Sequence, residues 1–243
     1  MRPLHIIMPM AGEGSRFRDA GWTTPKPLIE LDGKPLFIHA VESVKIDGWP
    51  MKYSFIVRKE HIDKYGIDTG IKKILPDANV LYVEKTTRGA VETCLIAEEL
   101  IDDDDAVIVM DCDLEFKSKR YTELIEGTLK MTGDNVRGGA LVSFESDLPK
   151  YSYAEIDEEG RVIRTAEKEV ISNHALCGAY FFSSGKEFKE AAHRLLEEPI
   201  MIKPEFYVSL LYNYILRDGS PVYLAPMELY RSYGTPEELS QWM

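Results

Sequence analysis

Ala106-Val107-Ile108-Val109-Met110 is an unbroken apolar run, with the acidic stretch Asp102 to Asp105 before it and Asp111-Cys112-Asp113 after it. A strand covered on both faces needs such a run, because neither of its surfaces can alternate with polar residues. Leu4 to Pro9, Tyr53 to Val57 and Asn79 to Val83 share this texture, and helix-like stretches near Pro35 to Lys45 and from Gly89 to Ile101 fall between them. Strands alternating with helices predict βαβ units with right-handed crossovers, and so a doubly wound α/β half over residues 1–135. Residues 136–243 are richer in β signals: Arg137 to Phe144, Tyr153 to Ile156, Arg161 to Thr165 and Ala179 to Phe182. Asp157-Glu158-Glu159-Gly160 reads as a hairpin turn. Helices near Lys186 to Glu197 and Glu205 to Arg217 and a strand at Val222 to Ala225 complete the pattern. With no Pro- or Ser-rich linker and no internal repeat, residues 1–243 read as a single α/β domain with a mixed, mainly parallel sheet. Asp102 to Asp105 reads as a solvated turn without chemistry.

The charge balance narrows the partners. Lys and Arg number 29 and Asp and Glu 41, a net charge of −12, with no basic run to offset it, so nucleic acid is not an expected partner. No apolar run approaches the roughly 20 residues that span a bilayer, and no cleavable leader is expected at Met1 to Met8. Cys94, Cys112 and Cys177 are far apart and lack zinc-ligand spacing, which fits a reducing cytoplasm. An anionic ligand would need its own local cations or a metal ion.

Such cations follow the first strand. Met10-Ala11-Gly12-Glu13-Gly14-Ser15-Arg16-Phe17 lets backbone N–H groups approach a phosphate, and Arg16 and Lys26, the latter within Thr24-Pro25-Lys26-Pro27-Leu28, add charge nearby. A dinucleotide fingerprint would need a small residue where Phe17 stands, and a P-loop would need Gly-Lys-Ser/Thr, which is absent. A bare glycine turn is the remaining alternative. Asp111 and Asp113 end a strand at the edge where open α/β sheets bind ligands, and can turn toward one cation or cap a turn.

The pattern A-G-x-G-S-R-F, then P-K-P-L, then Gly33-Lys34-Pro35 resembles the signature of the nucleotidyltransferases that join a nucleoside triphosphate to a sugar phosphate or similar phosphate. The resemblance implies a GT-A/Rossmann-like α/β fold with the nucleotide on the first half and the acceptor on the β-rich half. It implies that Gly12, Gly14, Ser15 and Arg16 hold the triphosphate, that Met10 and Ala11 also bind the nucleotide, and that Lys26 bridges the leaving and attacking phosphates. Asp113, matching the family's metal-binding Asp, would hold Mg²⁺. Ser232, in Arg231-Ser232-Tyr233-Gly234-Thr235-Pro236-Glu237, stands where a second metal-binding Asp is usual, so Asp111 is expected to supply the missing carboxylate.

Glu84 to Thr93 resembles the family's base-binding segment, with Glu84 where relatives carry Gln and with Gly89 and Ala90 against the base. A carboxylate only accepts hydrogen bonds, so Glu84 suits the amino group of cytosine, with guanine as the rival, and opposes the O4 of uracil or thymine. Glu167-Lys168 resembles the family's acceptor-binding Glu-Lys-Pro, with Glu169 in place of proline, and Gly178 falls in a strand resembling its acceptor-lining N-x-G-x-Y-x-F. The motif variant with M-x-M-A-G-x-G-S-R-F and E-K-x-x-I-S is similar to nucleotidyltransferases of bacterial capsule and surface-polysaccharide pathways, CTP:phosphoglutamine cytidylyltransferases among them.

The expected protein is a cytoplasmic, Mg²⁺-dependent nucleotidyltransferase, taking CTP by preference and a small phosphorylated acceptor. Its oligomeric state stays open. Two other readings compete: a catalytically impaired nucleotide-binding regulator, suggested by Ser232 and Glu169, and a nucleotide-sugar glycosyltransferase using Asp111 and Asp113.

Overall fold

The computed structural model describes residues 1–133, 136–198 and 205–243. The alternation rule for strands is visible at once in β1 (Leu4–Met10). Ile6 and Met8 join the apolar cluster on one face of the sheet and Ile7 the cluster on the other, as period-two side chains must. After β1 come α1 (Ser15–Asp19), a 3₁₀ turn at Lys26–Leu28, the short hairpin β2 (Glu30–Leu31) and β3 (Lys34–Pro35), and α2 (Leu36–Val44). Next are β4 (Met51–Arg58), α3 (Lys59–Tyr65), α4 (Ile67–Ile74), β5 (Asn79–Val83), α5 (Ala90–Leu95) and β6 (Ala106–Met110). β7 (Leu114–Lys117) and α6 (Lys119–Leu129) close this half. The second half carries β8 (Gly139–Glu145), β9 (Ser152–Ile156), β10 (Val162–Glu167), β11 (His174–Phe182), α7 (Gly185–Glu197), α8 (Leu211–Arg217), β12 (Val222–Pro226), β13 (Leu229–Ser232) and α9 (Pro236–Ser240).

A nine-stranded mixed sheet takes strands from both halves, in the order β10-β9-β11-β6-β1-β4-β5, with β8 on β11 and β12 on β8. β6, β1, β4 and β5 are parallel neighbours, and β11 enters antiparallel to β6. One apolar layer packs α2, α4 and α6 against the sheet and the other packs α5, α7 and α8, which is the doubly wound arrangement. A third, smaller cluster joins Phe17, Ile29, Leu36, Tyr233 and Leu239. Phe17, too large for a dinucleotide loop, is thus the residue that anchors the glycine loop to α9.

Two segments depart from the expected boundaries. The helix from Gly89 ends at Leu95 and the chain tightens into a 3₁₀ turn at Glu98–Leu100 rather than continuing to Ile101. The helix expected from Glu205 starts later: Tyr207 is extended, Val208–Leu210 form a 3₁₀ turn, and only Leu211–Arg217 are α-helical. The hairpin turn at Asp157 to Gly160 forms between β9 and β10, with Asp157 Oδ1 accepting from the amides of Glu159 and Arg161.

The stretch Asp102 to Asp105 needs a sharper correction. Asp105 is 1% exposed. Its carboxylate takes Lys52 Nζ at 2.9 Å and lies 3.4 Å from His5 Nδ1, while His5 Nε2 meets Ser54 Oγ at 2.8 Å. This polar cluster seals the amino-terminal ends of β1, β4 and β6. A solvated turn would keep Asp105 outside, whereas a buried His5 and the stem of Lys52 draw it in.

Candidate active site

The carboxyl ends of β1, β4, β5 and β6 share one edge of the sheet, and the sequence-predicted residues gather there. The chain leaves β1 through Ala11 to Gly14, whose φ of 60° is the left-handed conformation that opens α1. Gly12 is exposed, with nothing within 4 Å of where a Cβ would stand, so the loop backbone is open to a ligand. On one side of this loop lies a cleft of about 670 Å³, lined by Ala11, Gly12, Arg16, Gly89, Ala90, Glu167 and Gly178 among others. On the other side a cavity of about 480 Å³ is lined by Met10, Gly12, Gly14, Arg18 and Lys26. Asp111 and Asp113 line both, and so form the partition between them.

Lys26 and Asp113 bring the two sequence motifs together: Lys26 Nζ donates to Asp113 Oδ2 at 2.6 Å across 87 positions of chain. Burial opposes the charge on Lys26, but Asp113, Cys112 and Asp111 outweigh it and hold the ammonium well above its ordinary range. Asp111 has the opposite balance. Burial pushes its carboxyl up to about 7, Asp113 and Glu167 add to the rise, and Lys26 only partly offsets it. Gly178 explains how Asp111 fits. A Cβ at Gly178, whose φ is +94°, would stand 2.3 Å from Asp111 Oδ2, so the glycine leaves room for the carboxylate as well as lining the cleft.

The acids at this edge are oxygen donors, the ligand type that hard divalent ions take. At the point a Cβ on Gly234 would take, three oxygens converge: Glu238 Oε2 at 3.1 Å, Asp113 Oδ2 at 3.5 Å and Ser232 Oγ at 3.6 Å. Among the described residues no three side chains of His, Cys, Asp and Glu form a ready metal shell. Ser232 reaches this place because β13 pairs with β7, setting Ser232 opposite Leu114, with Tyr233 N donating to Asp113 O at 2.8 Å.

The remaining expected residues divide. Glu167 lines the cleft with its carboxylate buried, accepting from Ser152 and from Ser209 Oγ at 2.9 Å, and burial raises its pKa against these donors. Gly89 lines the cleft, but its missing Cβ is required by protein rather than by a base: a Cβ would stand 2.5 Å from Phe206 N. Ser15, Glu84 and Lys168 are not among the residues lining either cavity. Glu84 is exposed at the end of β5, and the wall beside Gly89 and Ala90 is made by Thr86 and Thr87. Lys168 donates to the Tyr207 hydroxyl with Glu205 at 3.8 Å, and these two partners line the cleft although Lys168 does not.

Lys150 and Glu238 line the cleft without having been expected there. The spacing Thr235-x-x-Glu238 suggests a capping box, and Thr235 does cap α9. The Glu238 carboxylate instead accepts from Ser232 Oγ at 2.7 Å and Lys150 Nζ at 2.8 Å. Among the described residues no helix is long and apolar enough to cross a membrane.

Known proteins share both sequence and shape with this chain. The chain is 28% identical over 191 residues to a low-salt glycan biosynthesis nucleotidyltransferase of Haloferax volcanii, covering 73% of this chain and 48% of that protein. It is 26% identical over 177 residues to a glucose-1-phosphate thymidylyltransferase of Streptomyces antibioticus, covering 71% and 47%. It therefore spans about half the length of the curated relatives it matches. A nucleoside-diphosphate-sugar pyrophosphorylase from Vibrio cholerae superposes with a TM-score of 0.82 at 25% identity, covering 98% of each chain. The inositol-1-phosphate CTP transferase of T. maritima, at 14% identity and a TM-score of 0.71 over 98% of this chain and 92% of that one, shares the fold. The nucleotidyl transferase family matches residues 4–218, and the chain belongs to that family.

Proposed function

We propose that this protein is an enzyme that transfers a nucleoside monophosphate from a nucleoside triphosphate to a small phosphorylated acceptor and releases pyrophosphate. The observation that carries this reading is the meeting of the open glycine loop, the Lys26–Asp113 pair and Asp111 at one sheet edge, between two cavities. An oxygen of the acceptor phosphate attacks the α-phosphorus in line. The bond from that phosphorus to the bridging oxygen breaks, and pyrophosphate leaves with the electron pair. The attacking phosphate is already anionic, so no general base is needed, and the protein's work is alignment and charge neutralisation.

The amides of Ala11 to Ser15 and the Arg16 guanidinium hold the triphosphate. Lys26, kept charged by Asp113, offsets the charge that builds on the transferred phosphoryl group. Asp113 and Asp111 would hold Mg²⁺, which supplies further neutralisation of the triphosphate when bound. Glu167 faces the acceptor. CTP is the donor we propose, on the acceptor-only chemistry of Glu84, whose exposed side chain must turn inward to read a base. We read residues 1–243 as one catalytic unit acting in the cytoplasm in surface-glycan assembly, a role supported by the name of the Haloferax relative.

Pyrophosphate release, measured for the four common triphosphates crossed with sugar-1-phosphates and amino-alcohol phosphates, tests the reading. Turnover with a CTP–phosphate pair is expected. Triphosphate binding without turnover on any acceptor would leave a nucleotide-binding regulator, and full turnover by both Lys26→Ala and Arg16→Ala would end the assignment.

A further inference from the structure

A phosphate dianion brought to the cleft must pass the carboxylates of Asp111, Asp113, Glu167 and Glu238, so it needs a cation on its own side of the reacting centre. Lys168, the expected one, stands behind the cleft wall. It follows β10 with a φ of 55°, and its ammonium bonds the Tyr207 hydroxyl 4.4 Å from that ring centroid, so that Tyr207 and Glu205 line the cleft while Lys168 itself does not.

Lys150, in the connection from β8 to β9, is differently placed. It lines the cleft, its side chain is 52% exposed, and its Nζ lies 2.8 Å from Glu238 Oε1 and 4.8 Å from the Tyr151 ring centroid. The other oxygen of Glu238 stands with Asp113 Oδ2 around the Gly234 point, and Asp113 in turn holds Lys26. Charges therefore run across the mouth of the cleft in the order Lys150, Glu238, Asp113, Lys26. A cation stands at each end, with the reacting centre beside the inner one.

We propose that Lys150 binds the phosphate of the acceptor, with Glu238 as the positioning residue that holds its ammonium at the cleft wall until the acceptor arrives. The proposal rests on the nucleotidyl-transfer reading. A half-exposed lysine can exchange a single carboxylate for a dianion with little movement, because its ammonium is a point charge on a flexible four-carbon stem. Lys26 then serves the transferred phosphoryl group and Lys150 the attacking one, which divides the work that a single bridging lysine would otherwise do.

Inorganic phosphate is the fragment common to every such acceptor, so its binding, followed by ³¹P line broadening on protein saturated with a non-hydrolysable triphosphate analogue, is the test. Lys150→Ala should weaken phosphate binding about tenfold and leave the affinity for the analogue unchanged, Lys150→Arg should restore most of it, and Lys168→Ala should stay within about twofold of wild type. With an acceptor in hand, the same loss should appear in its KM and not in that of the triphosphate. Wild-type phosphate binding in Lys150→Ala, or a loss in Lys168→Ala that equals or exceeds that in Lys150→Ala, overturns the proposal while leaving nucleotidyl transfer intact. A wild-type protein that binds neither analogue nor phosphate sinks both.

Discussion

The two ends of the central strands β1 and β6 each carry a group of charged and polar side chains, and they are built on opposite rules. At the amino end, His5, Ser54, Lys52 and Asp105 form a serine–histidine–aspartate sequence of contacts, yet His5 and Ser54 have no exposed surface. A nucleophile that no substrate can reach does no chemistry, and the cluster is a polar plug. At the carboxyl end, Asp111 and Asp113 crowd like charge together and open onto two cavities, and the one ammonium of Lys26 only partly offsets the burial of Asp111. Geometry alone would favour the wrong end. Access and unbalanced charge distinguish the functional one.

The largest expected effects test this contrast directly. Lys26→Ala and Asp113→Asn should lower turnover of the folded protein by about 10²–10³-fold or more, while His5→Ala should destabilise the protein and leave kcat of the folded fraction unchanged. If His5→Ala removed activity from a fully folded protein, the assignment of the two ends would have to be reversed. Next, Gly178→Ala should cost about 10²-fold in kcat, since its Cβ would displace the Asp111 carboxylate, and a displacement of about 1 Å can carry that penalty. Unaltered kcat in this variant would detach Asp111 from catalysis.

The two aspartates should also oppose each other in pH dependence. His5 and Lys52 outweigh burial and hold the Asp105 carboxyl below the usual carboxylate range. Its stabilisation is therefore present above the unfolded carboxylate pKa and is lost as pH falls through the lower, folded value. Asp105→Asn should cost about 2 kcal/mol at neutral pH, and the cost should shrink in acid. Asp111 is raised to about 7, so the folded protein grows less stable as pH climbs from the unfolded carboxylate range toward 7. Asp111→Asn should raise the melting temperature at pH 8, with a gain that fades at pH 5, while weakening the apparent Mg²⁺ affinity. Melting curves of both variants across this range decide the matter, and parallel behaviour would refute it. The smallest effect is expected of Glu84→Gln. Turning an exposed carboxylate inward costs part of its hydration, so the ratio of kcat/KM for CTP over UTP should fall only about threefold, and an unchanged ratio would mean that the side chain does not reach the base.

Much of this was legible in the chain, for reasons that can be named. β6 and β1 announce themselves because strands buried on both faces must be apolar throughout, and Lys26, Arg16 and Asp113 because their motifs are local. Glu238 and Lys150 were not legible: they meet across 88 positions of sequence, and Glu238 carries the local signature of a helix cap. β7 and β13 are four-residue strands whose ladder partners lie more than 100 positions apart, so no local pattern pairs them. Asp105 was misread because nothing in an acidic run tells which carboxylate turns inward. At Gly89 the sequence could not show that Phe206 lies where its Cβ would stand, a packing reason for glycine that is independent of any ligand.

The β7–β13 pair has a consequence in time as well as in space. Glu115 and Tyr233, joined through the Tyr233 hydroxyl at 2.8 Å, are 118 residues apart in the chain. During synthesis at about 5–20 residues per second, the glycine loop, Lys26 and both aspartates are made on the order of ten seconds before Ser232 and Glu238 can reach them. A nascent chain therefore carries the acid-crowded edge of the sheet before β13 and α9 exist to close beside it.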